Sequence, residues 1–101
     1  MKVLTQSVNF TADKDLIEFV KKKVEGLDKF HDKIVDAEIF LKVQQTSEKE
    51  NKLTELKLNV PGHDFMIKKE AKTFEEGISL CAESMKRHLK KTKEKQRELQ
   101  H

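Results

Sequence analysis

The clearest pattern in the chain is alternation. From Ile34 to Gln45, Val35, Ala37, Ile39, Leu41 and Val43 alternate with Asp36, Glu38, Phe40, Lys42 and Gln44. A period of two puts the first set on a core face and the second in solvent, which predicts a strand with one aromatic, Phe40, on its outer side. Leu53–Val60 repeats the pattern with Leu56, Leu58 and Val60 inward. His63–Lys72 repeats it again, with Phe65, Ile67, Lys69 and Ala71 opposing Asp64, Met66, Lys68 and Glu70. The apolar-free stretch Gln44–Lys52 reads as an exposed hairpin loop, and Pro61-Gly62 as a turn. Three strands joined by short links predict an antiparallel meander. Residues 2–10 alternate more weakly, with Leu4, Val8 and Phe10 on one side, and predict a further strand.

Two segments switch to helical spacing. In Ala12–Lys29, Leu16, Ile17, Val20, Val24 and Leu27 share one face, flanked by Phe19 and Lys23. Thr11 stands at the N-cap position and Asp13 in the first turn, where free N–H groups favour acceptors and negative charge. The link FHDK then reads as a short turn. Near the other end, Thr73 caps a second helix in which Phe74, Ile78, Cys81, Met85, Leu89 and Thr92 step by threes and fours. Lys86, Lys90, Lys93 and Arg97 form a stripe beside this one, and Arg87, Lys91 and Lys95 point further out. Past Leu89 the apolar stripe ends. The helix is expected to leave the sheet there with its cations unshielded, and to fray over Gln96–His101.

The order is therefore β-α-β-β-β-α: an α+β fold, a four-stranded sheet with two helices packed on one face, in a single domain spanning residues 1–101. A right-handed crossover makes the first strand parallel to the second. The other sheet face is left open.

Composition changes this picture in one respect. Of 101 residues, 36% are apolar and 39% charged, a thin core under a charged skin. The net charge of +3 conceals an asymmetry. Lys86–Arg97 holds seven cations against one anion, +6, which leaves 14 cations and 17 anions elsewhere, −3. A mildly acidic body with a cationic helix end points to a polyanionic partner. Lysine outnumbers arginine there, which suits phosphate contact better than bidentate reading of bases. The candidate contacts are Lys22, Lys23, Lys86, Arg87, Lys90, Lys91, Lys93 and Arg97. The two lysine groups form one surface if both helices share a sheet face. Lys68, Lys69 and Lys72 are weaker candidates.

Catalysis has little to stand on. The four His are scattered, without metal-ligand spacing to the one cysteine, and the three Gly form no phosphate loop. No cofactor, metal or small-molecule substrate is expected. One cysteine excludes an internal disulfide framework and fits a reducing compartment. Its place on the apolar stripe makes Cys81 a buried structural thiol rather than a nucleophile. No apolar run approaches the roughly 20 residues of a membrane span, and MKVLTQSVNF lacks a signal-peptide core, so a cytoplasmic protein is expected.

Read together, the segments resemble the ribosome hibernation promoting factors, the ribosome-associated inhibitor family. FVKKKVEGLDKF is similar to that family's first helix, through Lys23, Val24 and Leu27. IVDAEIFLKV resembles its second strand, and SMKRHLKKTKEK its last helix, through Leu89, Lys91 and Lys93. The family often opens that helix with Asp, another residue and Tyr; here Thr73, Phe74 and Glu75 occupy this region and the Asp and Tyr are absent. The length resembles the short form, without a C-terminal dimerisation domain. The resemblance implies binding to the small ribosomal subunit and its ribosomal RNA, in the channel for messenger RNA and the anticodon ends of transfer RNAs. It also implies inhibition of translation in stored, inactive ribosomes, as in stress or stationary phase. The free protein is expected to be monomeric.

Two alternatives remain open. Lys68-Lys69-Glu70-Ala71-Lys72 and Pro61-Gly62-His63 resemble parts of double-stranded RNA-binding domains, although there such lysines open a helix. A protein–protein adaptor using the open sheet face is the other.

Overall fold

The alternating segments become strands because residues i and i+2 share a face, and one face of each strand must be buried. The computed structural model describes the backbone of residues 1–99 and the side chains through Lys93. Its elements are β1 (Lys2–Val8), α1 (Lys14–Glu25), a 3-10 turn (Gly26–Phe30), β2 (Asp36–Val43), β3 (Lys52–Val60), β4 (His63–Ala71) and α2 (Phe74–Leu99). The sheet runs in the order β1-β2-β3-β4. β1 pairs parallel with β2, and the other pairs are antiparallel. This is the predicted α+β fold.

The core lies between the sheet and the two helices. Ala37, Ile39 and Leu41 from β2 and Leu56, Leu58 and Val60 from β3 meet Val20 and Val24 of α1. Phe74, Ile78, Cys81, Met85 and Leu89 of α2 close the same cluster, all buried as their spacing predicts. Thr73 caps α2 by accepting the Glu76 N–H at 3.1 Å. Phe74 stacks on Phe10 with ring centroids 4.6 Å apart. At Gly77 the helix rests so closely on β3 that an added Cβ would lie 2.5 Å from Thr54 Oγ1. The Pro61-Gly62 turn has Gly62 at φ +81°, as a type II turn requires.

Several boundaries differ from the sequence reading. Asp13, not Thr11, caps α1: its Oδ1 accepts the Leu16 N–H at 2.8 Å. The helix ends at Glu25, and the predicted last turn tightens into the 3-10 segment. Ile17 is exposed, outside the stripe that packs. Val35, expected inward, precedes β2 and is 60% exposed, while Ile34 packs against the core in its place. In β1 it is Val3 that packs against the core; Leu4 is 45% exposed and belongs to the open face. Phe10 nevertheless reaches the helix side, because Asn9 at φ 67° redirects the chain after β1. Lys68–Ala71 continue β4, and Lys72 follows it outside α2, so no lysine signature opens that helix.

Along α2, Leu89 is the last fully buried residue among those whose side chains are described, Thr92 is half-buried, and Lys90, Lys91 and Lys93 are exposed. The contact at Thr54 near the helix start and the approach of Lys93 to Pro61 show the helix running antiparallel to β4. It passes the end of the sheet at the β3–β4 turn. The helical backbone extends to Leu99. The expected fraying of Gln96–His101 falls on side chains, and at 100–101 on residues, outside those described.

Candidate nucleic-acid interface

The apolar stripe fixes the rotation of α2, and that in turn fixes where its cations stand. Lys86 is half-buried and Lys90 exposed. Their ammonium groups each lie 5.4 Å from the centroid of one ring, Phe30. A cation over an aromatic face gains about 0.5–1 kcal/mol at exposed sites. Phe30 ends the 3-10 segment and packs against the core. One aromatic residue from the α1 side thus holds two cations of α2.

On α1, Lys23 Nζ lies 5.6 Å from the Phe19 ring, one helical turn away, and Lys22 is exposed beside it. Both belong to the last turn of α1, which leads directly into the segment ending at Phe30. Lys22 and Lys23 thus precede, along the chain, the segment whose last residue holds Lys86 and Lys90. Arg87 and Lys91 are exposed one residue further round α2; Arg87 Nη2 donates to Ser84 Oγ at 3.2 Å. Lys93 is exposed and lines a cleft with Phe30 and Pro61. The Arg97 side chain lies outside those described. Among the described residues, no ion pair involves Lys22, Lys23, Lys86, Arg87, Lys90, Lys91 or Lys93. This arrangement suits phosphates held along a backbone, since cations bind them largely by releasing counterions.

Sequence reasoning did not single out Phe30, Lys29 or Lys33. Phe30 stood in a link read as a turn. Its one available signal was its place three residues after Leu27, which continues the buried side of α1 past the helix end.

Among the described residues, no group of three His, Cys, Asp or Glu could hold a metal ion. The Cys81 thiol donates to the Thr54 carbonyl at 3.5 Å. Burial pushes its pKa up to about 11, against a smaller opposing pull from Lys69. At neutral pH it is a protonated core group, not a nucleophile. No helix among the described residues is long and apolar enough to cross a membrane.

Residues 3–97 match the family described as Sigma 54 modulation protein / S30EA ribosomal protein. The chain belongs to this family. The match takes in α1, Phe30, the sheet and nearly all of α2. A ribosome hibernation promoting factor of Pseudomonas putida is 27% identical over 99 residues, which cover 98% of this chain and 93% of the relative. Among solved structures, the N-terminal domain of Thermus thermophilus Protein Y superposes with a TM-score of 0.75 at 19% identity, over 91% of this chain and 99% of that one. A ribosomal subunit interface protein from Coxiella burnetii gives 0.80 at 18% identity, over 92% and 98%. These two show that the fold is shared. The missing family Asp and Tyr at the start of α2 leave the S30EA architecture intact here, because Thr73 supplies the cap and Phe74 the packing.

Proposed function

We propose that this protein is a ribosome hibernation factor, which binds the small ribosomal subunit in the messenger RNA and transfer RNA channel and so inhibits translation. The observation that carries the reading is the pair Lys86 and Lys90 on the Phe30 ring, within a segment of charge +6. Ribosomal RNA is the polyanion that the family and the named relatives suggest. Lys22, Lys23, Arg87, Lys91, Lys93 and Arg97 extend the surface. Ammonium groups contact phosphates as point charges, so shape and charge choose the target rather than base sequence. The protein acts by occupancy, without catalysis or cofactor, as a monomer when free and in the cytoplasm where ribosomes are.

Cosedimentation tests this directly. The protein is expected to pellet with small subunits at low salt and to be released as salt rises. A protein that stays in the supernatant at low salt overturns the reading.

The adaptor reading has one observation in its favour. Leu4, Phe40 and Met66 line a shallow groove of about 390 Å³ on the open sheet face, and Met66 is 62% exposed. If Leu4→Ser/Met66→Ser abolished cosedimentation while Lys86→Glu/Lys90→Glu spared it, that reading would prevail.

A further inference from the structure

Beyond Leu89, α2 does not run into open solvent on all sides. Thr92 and Lys93 face the segment 28–33 and Pro61 across a cleft of about 330 Å³. Its size is at the small end of ligand clefts, which span about 300–1,000 Å³, and leaves no room for a duplex. The lining is mixed in a specific way. Lys29, Lys33 and Lys93 bring three ammonium groups. Phe30 and Pro61 bring apolar surface, Phe30 being the ring that also carries Lys86 and Lys90. His31 accepts the Lys33 N–H on Nδ1 at 3.1 Å, which leaves its proton on Nε2 as a donor. Of the two carboxylates, Asp28 is 3.4 Å from the N-terminal ammonium, and Asp32 remains as an acceptor.

A site for phosphate alone has no use for an aromatic and a proline wall. A surface that only tracks a backbone has no use for a concavity. Cations, an aromatic face, a ring N–H and a carboxylate in one cleft match the parts of a nucleotide: phosphate, base, base carbonyl, and ribose hydroxyl or exocyclic amine. We propose that this cleft binds a single unpaired nucleotide, with its base against Phe30 and Pro61 and its phosphate toward Lys29, Lys33 and Lys93. The proposal deepens the RNA-binding reading and rests on it. Lys86 and Lys90 hold the neighbouring backbone, and the cleft takes one base out of the strand.

The test uses the full chain in amide-resolved NMR titrations with a single-stranded RNA tetranucleotide, a duplex RNA, adenosine monophosphate and inorganic phosphate. The tetranucleotide is expected to shift Phe30, His31 and Thr92 in a saturable way. Lys29→Glu/Lys33→Glu is expected to weaken that binding by about tenfold or more, and Phe30→Leu, which keeps the apolar packing, by a similar factor through lost stacking. Unchanged shifts at Val20, Ile39 and Ile78 verify that each variant is folded. Equal response to duplex RNA or to inorganic phosphate overturns the proposal, as does unaltered binding by Lys29→Glu/Lys33→Glu. Adenosine monophosphate binding as tightly as the tetranucleotide supports a nucleotide site and makes a free nucleotide its source. Cosedimentation of the unaltered protein is scored separately: pelleting without cleft shifts removes the nucleotide site alone, and cleft shifts without pelleting remove the ribosome reading alone.

Discussion

On the open face of the sheet, Lys57 stands 3.9 Å from both Glu38 and Asp64, and Lys68 stands 3.7 Å from Glu55. Asn59 adds hydrogen bonds to Asp36 and Glu38. On the helical side, Lys86 and Lys90 share a phenylalanine, and Arg87 and Lys91 are again like charges one turn apart. Both regions are rich in lysine; they differ in what stands next to it. Cross-strand register sets Glu38 opposite Lys57 and Glu55 opposite Lys68, so the sheet neutralises its own field. The helix sets like beside like, at a cost of about 0.2–0.5 kcal/mol per pair. That cost persists in the free protein and is relieved when an anion arrives. We propose that lysines serve as a binding surface where, as among the described residues of α2, no carboxylate pairs with them.

The largest expected effect breaks the comparison at its centre. Lys86→Glu/Lys90→Glu/Lys93→Glu should lower affinity for small subunits by more than about a hundredfold, since several phosphate contacts are lost and reversed. Thermal melts should show a folded protein with a loss of about 1–2 kcal/mol, from the two cation–ring contacts at Phe30. Lys57→Glu/Lys68→Glu alters the same residue type on the other face and should leave cosedimentation intact. Equal loss from both variants would show that net charge alone, not its placement, drives binding.

The next effect separates anchoring from binding. Gly77→Ala drives a Cβ against Thr54 Oγ1 and should cost about 1–3 kcal/mol in urea unfolding. Thr54→Ala removes that hydroxyl, which is buried without a hydrogen-bond partner. The double variant should therefore be more stable than the two single effects predict, a coupling that an unfolding cycle measures.

Cys81 gives a smaller, pH-dependent effect. Its folded pKa of about 11 lies above the ordinary value of 9.0, because burial disfavours the thiolate. The thiol's contribution to stability is fully present below the ordinary value and is lost as pH rises from there through the folded one. Cys81→Ala should remove that part of the alkaline decline, a difference of about 1 kcal/mol by about pH 10. Comparing the two proteins cancels the titration of lysines. Smallest of all, Lys57→Gln should cost less than about 1 kcal/mol, because its pairs are partly exposed to water. Urea unfolding at low salt, which leaves the pairs unscreened, checks it.

Much of the fold was legible because it follows from local geometry. Phe74, Ile78, Cys81, Met85 and Leu89 share a helix face by spacing alone, and all are buried. The strand order follows from short links and one crossover. Where no period existed, legibility failed. Val35 continued the alternation on paper, but the chain turns at the strand end and gives its place to Ile34. Thr11 was read as the cap and Asp13 as a first-turn acid, but the backbone path after Asn9 makes Asp13 the cap. The cationic residues were readable as members of α1 and α2, and a shared sheet face already implied one surface. The ring beneath Lys86 and Lys90 was not readable, because Phe30 lies in an aperiodic link far along the chain from them.

By itself the sequence determined the two periodicities, the six main elements and a helix end of charge +6. These depend on near neighbours, and near neighbours are what a sequence shows. Among the described residues, tertiary structure alone decided which lysines stand beside carboxylates and which beside a ring. It also decided that the cationic helix end closes a cleft with the segment 28–33 and Pro61. Those outcomes depend on how α2 lies across the sheet, and that is set by core packing at Gly77, Met85 and Leu89 rather than by the cations themselves.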